Sequence, residues 1–238
     1  MTQSVAIDNK THGWGGPAVW ALLAAIAVAA AAWGVSRAID AYHDRVALRG
    51  LKDKTTPVRV VVADEPLVIP ANMIRHRNAR RGGALDKIDL LLHWPSLDGF
   101  TTERAAAFKD SSSGAPLIYA TLEPRVNDID SDRRLSTIYA RFFDGPAFIG
   151  PASLIGRRLN PTSRYADEIV YHAPYGTAPF VTRCLAEATE EIPATCIRDI
   201  NIGYGLVVRY RFNEALLANW RTMDDRLKRL FGQFFRRP

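Results

Sequence analysis

The chain has 238 residues, a formal net charge of +6 and a pI near 9.5, with 47% hydrophobic and 24% charged residues. These proportions are those of a globular chain and exclude wholesale disorder. The basic balance suits nucleic acid or an anionic membrane surface, and a chain with a membrane anchor favours the second.

Residues 1–16 read as a short polar tail. From Pro17 to Val35 the sequence PAVWALLAAIAVAAAAWGV holds nineteen positions without a charge or a strongly hydrogen-bonding side chain. At about 1.5 Å per residue such a helix crosses a hydrocarbon core of roughly 30 Å. A transmembrane helix is therefore expected over residues 17–36. A cleaved signal peptide is the rival reading, with Ala30-Ala31-Ala32 as its small-residue site, but the head carries only Lys10 and the apolar run is long for a signal core. Ala21, Ala25 and Ala29, and Ala30 with Gly34, fall four apart, a spacing that an Ala-rich helix also offers by chance. Orientation is contested. Lys10 stands before the helix and Arg37, Arg45, Arg49, Lys52 and Lys54 after it, which on charge alone keeps the domain cytoplasmic. The layout of short head, apolar helix and long domain is that of a signal anchor, which exports it.

Residues 37–56 read as a charged stalk that continues the helix and ends at Gly50 and Thr55-Thr56-Pro57. Residues 57–238 form one soluble domain. Val58–Val62 and Leu67–Ile69 suggest a hairpin turning at Asp64-Glu65-Pro66. Ile88–Leu92 is a buried strand, Thr101–Lys109 a short helix before a serine-rich loop, and Leu117–Leu122 another strand. Ser131–Phe143 reads as a helix capped by Ser131. The last third offers strands at Ser153–Arg158, Glu168–His172, Phe180–Leu185, Thr195–Ile202 and Leu206–Phe212. In the last, Leu206, Val208, Tyr210 and Phe212 alternate with Val207, Arg209 and Arg211, the period of a sheet with one wet face. Gly203-Tyr204-Gly205 can turn the chain between the final pair. Asn213 caps a long amphipathic C-terminal helix to about Phe235, its apolar stripe running through Leu216, Trp220, Met223, Leu227, Leu230 and Phe234. Docking of that stripe on the sheet is the plain expectation, with anionic lipid or a partner helix as alternatives. Short connections between neighbouring strands imply a mainly antiparallel sheet with two or three packed helices, hence an α+β fold.

Cys184 and Cys196 lie in two candidate strands joined by a loop over Ala186–Pro193. An antiparallel pair can bring them to disulfide distance. A bridge would add roughly 3 kcal/mol and would persist only in an oxidising compartment, so it argues for export. Asp128, Asp130 and Asp132 imitate the opening of a calcium loop, but Arg133 and Tyr139 stand where Gly and Glu are required, and a helix-capping turn explains them better. The five histidines show no i, i+3 or i, i+4 pairing, and no zinc set, nucleophile motif or phosphate-binding glycine loop occurs. No catalytic residue, metal site or cofactor is expected. The one cluster that could carry recognition is Arg75, Arg77, Arg80 and Arg81, four arginines within seven residues before Gly82-Gly83. A solvated loop is its default reading; contact with an anion, a lipid headgroup or an acidic partner is the sharper one.

The stretch from Glu65-Pro66-Leu67-Val68-Ile69-Pro70 through Arg75 to Trp94-Pro95, with Thr195-Cys196-Ile197-Arg198-Asp199-Ile200 and Tyr210-Arg211-Phe212, resembles a group of single-pass inner-membrane proteins of alphaproteobacteria. That resemblance implies a bacterial inner-membrane setting and transfers no activity, cofactor or catalytic residue. The expectation is a membrane-anchored, periplasmic, non-enzymatic binding or structural protein, with an envelope protein or anionic lipid as partner and nucleic acid disfavoured. An envelope hydrolase, or a cytoplasmic-side domain held against the anionic leaflet, are the alternatives.

Overall fold

A computed structural model describes residues 17–48, 50–110, 112, 114–186 and 195–235. The chain divides into two compact units between Ala47 and Leu48. The first contains helix α1 (Pro17–Ala47), within which Val19–Ile39 is 21 residues of mean hydropathy 2.0, long and apolar enough to cross a membrane. None of that segment is buried by protein, and Trp20, Leu22, Leu23, Ile26, Val28 and Trp33 all stay exposed. The helix runs on past Arg37 and stops at Ala47, and residues 51–56 have no regular structure.

The second unit is α+β and contains two sheets. Strands β1 (Pro57–Val62) and β2 (Glu65–Pro70) pair antiparallel in perfect register. Their turn lies at Ala63-Asp64, both at positive φ, one step earlier than the sequence suggested. The short strand β3 (Gly83–Ala84) joins β1 in parallel. The larger sheet takes in β4 (Ile88–His93), β5 (Leu117–Pro124), β6 (Phe143–Ile149), β7 (Ile155–Leu159), β8 (Glu168–His172), β9 (Val181–Leu185), β10 (Thr195–Ile202) and β11 (Leu206–Asn213). Their order is β4-β5-β11-β10-β9-β8-β7-β6, and every neighbouring pair is antiparallel.

Alternation divides the side chains of this sheet between two faces. Ile88, Leu90, Leu92, Ile118, Ala120, Leu122, Val208, Tyr210 and Phe212 share the main core with Val60, Val62, Leu67 and Ile69 of the small sheet. The same core takes Trp220, Met223, Leu227 and Phe231 of the C-terminal helix α4 (Trp220–Gln233). The apolar stripe of that helix is therefore spent on the sheet. Its last turn is tied down by the Val68 amide, which donates to the Phe234 carbonyl at 2.8 Å. On the opposite face, Tyr139, Leu159, Tyr165, Val170 and Val181 form one small cluster, and Leu91, Phe100, Phe108 and Leu117 form another.

Several elements differ from their sequence reading. Helix α3 covers only Ser131–Thr137, followed by a 3-10 turn at Tyr139–Arg141, and Phe143 opens a strand, β6, that the sequence did not reveal. Its cap is Asp130, which accepts from the Arg133 amide, because the Ser131 hydroxyl is taken by the Asp199 amide at 2.8 Å. Thr101–Lys109 splits into a 3-10 turn and helix α2 (Ala105–Lys109). The start of the Ser153–Arg158 strand is instead a turn, and β7 begins at Ile155. Asn213 caps as expected, accepting from Ala215, but its first turns to Asn219 are 3-10. Most of the Ala186–Pro193 loop lies outside the described residues.

Cys184 and Cys196 face each other across β9 and β10 and are bonded, with Cα atoms 4.0 Å apart. Beyond this clamp β9 and β10 pair only once more, at Ile197 and Arg183, and then diverge. The N-terminus of α3 fills the fork, and Arg198, with no exposed surface, threads it. Its guanidinium donates to Asp132 of α3, to Asp224 of α4 at 2.9 Å and to the Val181 carbonyl at 2.8 Å, and lies 4.6 Å from the Phe180 ring centre. The Tyr210 hydroxyl donates to Asp224 at 2.6 Å. Burial pushes the Asp224 carboxyl up, but Arg198, with hydrogen bonds from Lys228 and Tyr210, outweighs it and holds the pKa below the usual carboxylate value.

Cys196→Ser should lower stability by about 3 kcal/mol in chemical denaturation of the oxidised protein, with no effect relative to wild type once both are reduced. Arg198→Met should cost about 3–5 kcal/mol, because Asp132 loses its counter-charge and the buried Asp224 keeps only Lys228. A depressed carboxylate pKa gives stability that is present above the unfolded value near 3.8 and lost as pH falls through the folded one. Wild type should therefore lose the Asp224 contribution below about pH 4, and Asp224→Asn should flatten that acid limb of the melting curve.

Candidate anion-binding basin

The arginine-rich segment owes its shape to glycine. A 3-10 turn at Ala79–Arg81 ends at Gly82, whose φ is +77° and where a Cβ would stand 2.6 Å from the Arg59 carbonyl oxygen. Only a residue without a side chain fits both conditions. The backbone then runs alongside β1 as β3, with Gly83 opposite Val60. This parallel pairing sets the 77–83 segment against the strand that carries Arg59. Thr56, immediately before β1, is fixed through its carbonyl by the Ala71 amide at 3.0 Å.

The result is an open basin of about 530 Å³ whose charged lining is Lys52, Lys54, Arg59, Arg77, Arg80 and Arg81, with no carboxylate among the described residues. Arg80 is the most enclosed of the six. Its Nη1 donates to the Ile74 carbonyl at 2.7 Å, while its Nη2 is buried and makes no hydrogen bond. Burial first, and then the neighbouring Arg77, push its pKa down. The acid nearest in sequence, Asp53, is turned to another task and accepts from the Thr102 amide at 2.8 Å; that bond lowers its pKa. None of the six cations forms an ion pair among the described residues. Such an arrangement repels itself when empty and binds anions through charge-assisted hydrogen bonds.

Three of the four arginines singled out in the sequence thus meet here. Arg75 does not. Its amide is bonded to the Asp89 carbonyl and its guanidinium lies 5.4 Å from the Tyr119 ring centre, outside the basin's lining. Lys52, Lys54 and Arg59 also line the basin and did not stand out in the sequence. The signal that could have found Arg59 is its outward position on β1, between Val58 and buried Val60.

A second arginine group lines a smaller cleft of about 300 Å³ on the outer face of the large sheet, with Arg134, Arg183, Arg209 and Arg211 around Asp199. It differs in being largely neutralised. Arg134 and Arg209 both bind Asp199, at 2.6 and 3.1 Å; Arg209 also meets Glu123 at 3.2 Å, and Arg183 meets Glu168 at 2.9 Å. The acidic run is likewise accounted for structurally: Asp128 pairs with Arg125, Asp130 caps α3 and Asp132 holds Arg198. Among the described residues no group of three or more His, Cys, Asp or Glu is placed to hold a metal ion.

The chain matches no protein-family model and no curated protein. Among solved structures it is similar to the crystal structure of the Neisseria meningitidis iron-regulated outer membrane lipoprotein FrpD, at 12% identity and a TM-score of 0.49 over 78% of this chain and 96% of that one.

If the basin is self-repulsive, Arg77→Gln should raise the melting temperature of the ligand-free protein at low ionic strength. The gain should vanish near 1 M salt, where the Debye length falls to about 3 Å. A melting temperature lowered equally at both salt concentrations would mean that Arg77 supports the fold instead.

Proposed function

We propose that the protein is a membrane-tethered binding module of the bacterial envelope, with helix α1 retained as an inner-membrane anchor and the disulfide-stapled α+β domain on the periplasmic side. Its role is non-enzymatic, and its ligand is an anion received in the basin formed by Lys52, Lys54, Arg59, Arg77, Arg80 and Arg81. The observation that carries the placement is the Cys184–Cys196 bridge, because a structural disulfide persists in the periplasm and is reduced in the cytosol. The positive charges after the apolar segment argue the other way. A bridge set between directly opposed strand residues and closed over a short loop outweighs them, since that charge bias acts on short loops and not on long translocated domains. The ligand reading is supported by the absence of any carboxylate from the basin's lining and by the partnerless Arg80 Nη2.

A reporter active only in the periplasm, fused after Pro238, should be active in cells. Thiol labelling of the same cells should find Cys184 and Cys196 blocked until reductant is added. An inactive reporter together with two free thiols would place the domain in the cytoplasm and leave it facing the inner leaflet.

A further inference from the structure

The basin's charge and size together define its ligand more narrowly than "anion", and we infer that it takes a ligand carrying two or more phosphate groups. The inference rests on the basin reading above and not on which side of the membrane the domain lies.

Charge sets the lower bound. A phosphate monoester carries about −1.5 to −2 at neutral pH, so one group would leave most of the six cations uncompensated, whereas about three would balance them. Volume agrees. About 530 Å³ is the room of a small-molecule pocket, far beyond a single tetrahedral oxyanion. Geometry favours phosphate over carboxylate. Arg59, Arg77, Arg80 and Arg81 bring forked, planar donors to the basin from two different segments, the outward side of β1 and the stretch 77–81. Planar guanidinium forks pair with phosphate through two parallel bonds, and several forks can share the oxygens of one phosphate group. Arg80 is the most enclosed of the six, and its guanidinium is already fixed by Ile74 through Nη1, so its charge is held at the basin without a ligand. Gly83, at φ +91° with nothing within 4 Å of a would-be Cβ, leaves the backbone side of the lining open to close approach.

Such chemistry is offered both by soluble polyphosphates and by a lipid headgroup with two phosphates. The full-length chain in phosphatidylcholine nanodiscs is titrated calorimetrically with inorganic tripolyphosphate, with orthophosphate, and with butane-1,2,3,4-tetracarboxylate as a carboxylate of comparable charge, at fixed ionic strength. Tripolyphosphate should bind roughly tenfold or more tightly than either of the others, and Arg80→Gln should remove that advantage. Because Arg80 also holds the Ile74 carbonyl, the double variant Arg77→Gln/Arg81→Gln, altered only at exposed side chains, provides the same readout with its fold checked by circular dichroism. Arg211→Gln removes one positive charge outside the basin and should leave tripolyphosphate affinity unchanged. Equal affinity for the tetracarboxylate, no binding, or an equal loss in Arg211→Gln would overturn the inference. Nanodiscs that contain cardiolipin separate the sources: a weakened apparent affinity for tripolyphosphate there identifies the lipid headgroup as occupant, and an unchanged one identifies a soluble phosphate. A cytoplasmic reporter with tripolyphosphate binding intact would sink the topology alone, and an exported domain that ignores tripolyphosphate would sink the ligand alone.

Discussion

Arg198 stands where the eight-stranded sheet comes apart, and the layers on both sides of the sheet are organised around its charge. A guanidinium with no exposed surface must be paired wherever the chain puts it. Here the partners come from three separate places: Asp132 at the start of α3, Asp224 on α4 and the Val181 carbonyl on β9. Meeting that demand fixes α3 in the fork between β9 and β10 and fixes the rotation of α4 over the main core. The next residue repeats the logic on the other face, where Asp199 gathers Arg134 and Arg209 while its amide binds Ser131. The disulfide closes the base of the same fork. A sheet that would otherwise lose ladder bonds where its strands diverge is thus held by one covalent link and a short run of buried ion pairs.

Much of this was visible in the sequence because it depends on period. The alternation of β11 gives its wet and dry faces directly, and the stripe of α4 names the residues that dock on the sheet. What period cannot show is where a strand ends its pairing. In Thr195–Ile202 the charged pair Arg198-Asp199 occupies both faces at once, so neither parity marks one of them as buried. The cap of α3 was misread for a related reason. Asp130 and Ser131 both suit an N-cap by local chemistry, and only the distant amide of Asp199 decides between them. Strand β6 is hidden by Gly145 and Pro146, residue types unfavourable inside a strand, and by a shift in its register between Asp144 and Phe148.

The basin was half legible. Density of arginine marked the 75–81 segment, but a linear cluster does not say which side chains converge. Arg75 precedes the turn and leaves toward Tyr119, whereas Arg77, Arg80 and Arg81 share a lining with residues some twenty positions earlier. That meeting is made by the parallel pairing of β3 with β1, a long-range contact between a two-residue strand and an unremarkable valine run. Nothing periodic announces it. Gly82-Gly83, read only as the end of the charge cluster, is in fact what lets the segment approach the Arg59 carbonyl closely enough to pair.

The two arginine groups of the domain separate structural charge from charge kept in reserve. Around Asp199 the guanidiniums are matched with carboxylates at ion-pair distance, so their electrostatic work is done within the fold. In the basin six cations face one another with no acid among them, and the one that is enclosed has its pKa driven down by that setting. Folding alone gives no reason to assemble such a group, since each added positive charge raises the free energy of the empty state. The same net charge that reads from composition as a general affinity for anionic surfaces is therefore unevenly spent. Part of it is neutralised in holding the forked sheet, and the uncompensated part is gathered where a β-strand, a 3-10 turn and the segment ahead of β1 meet.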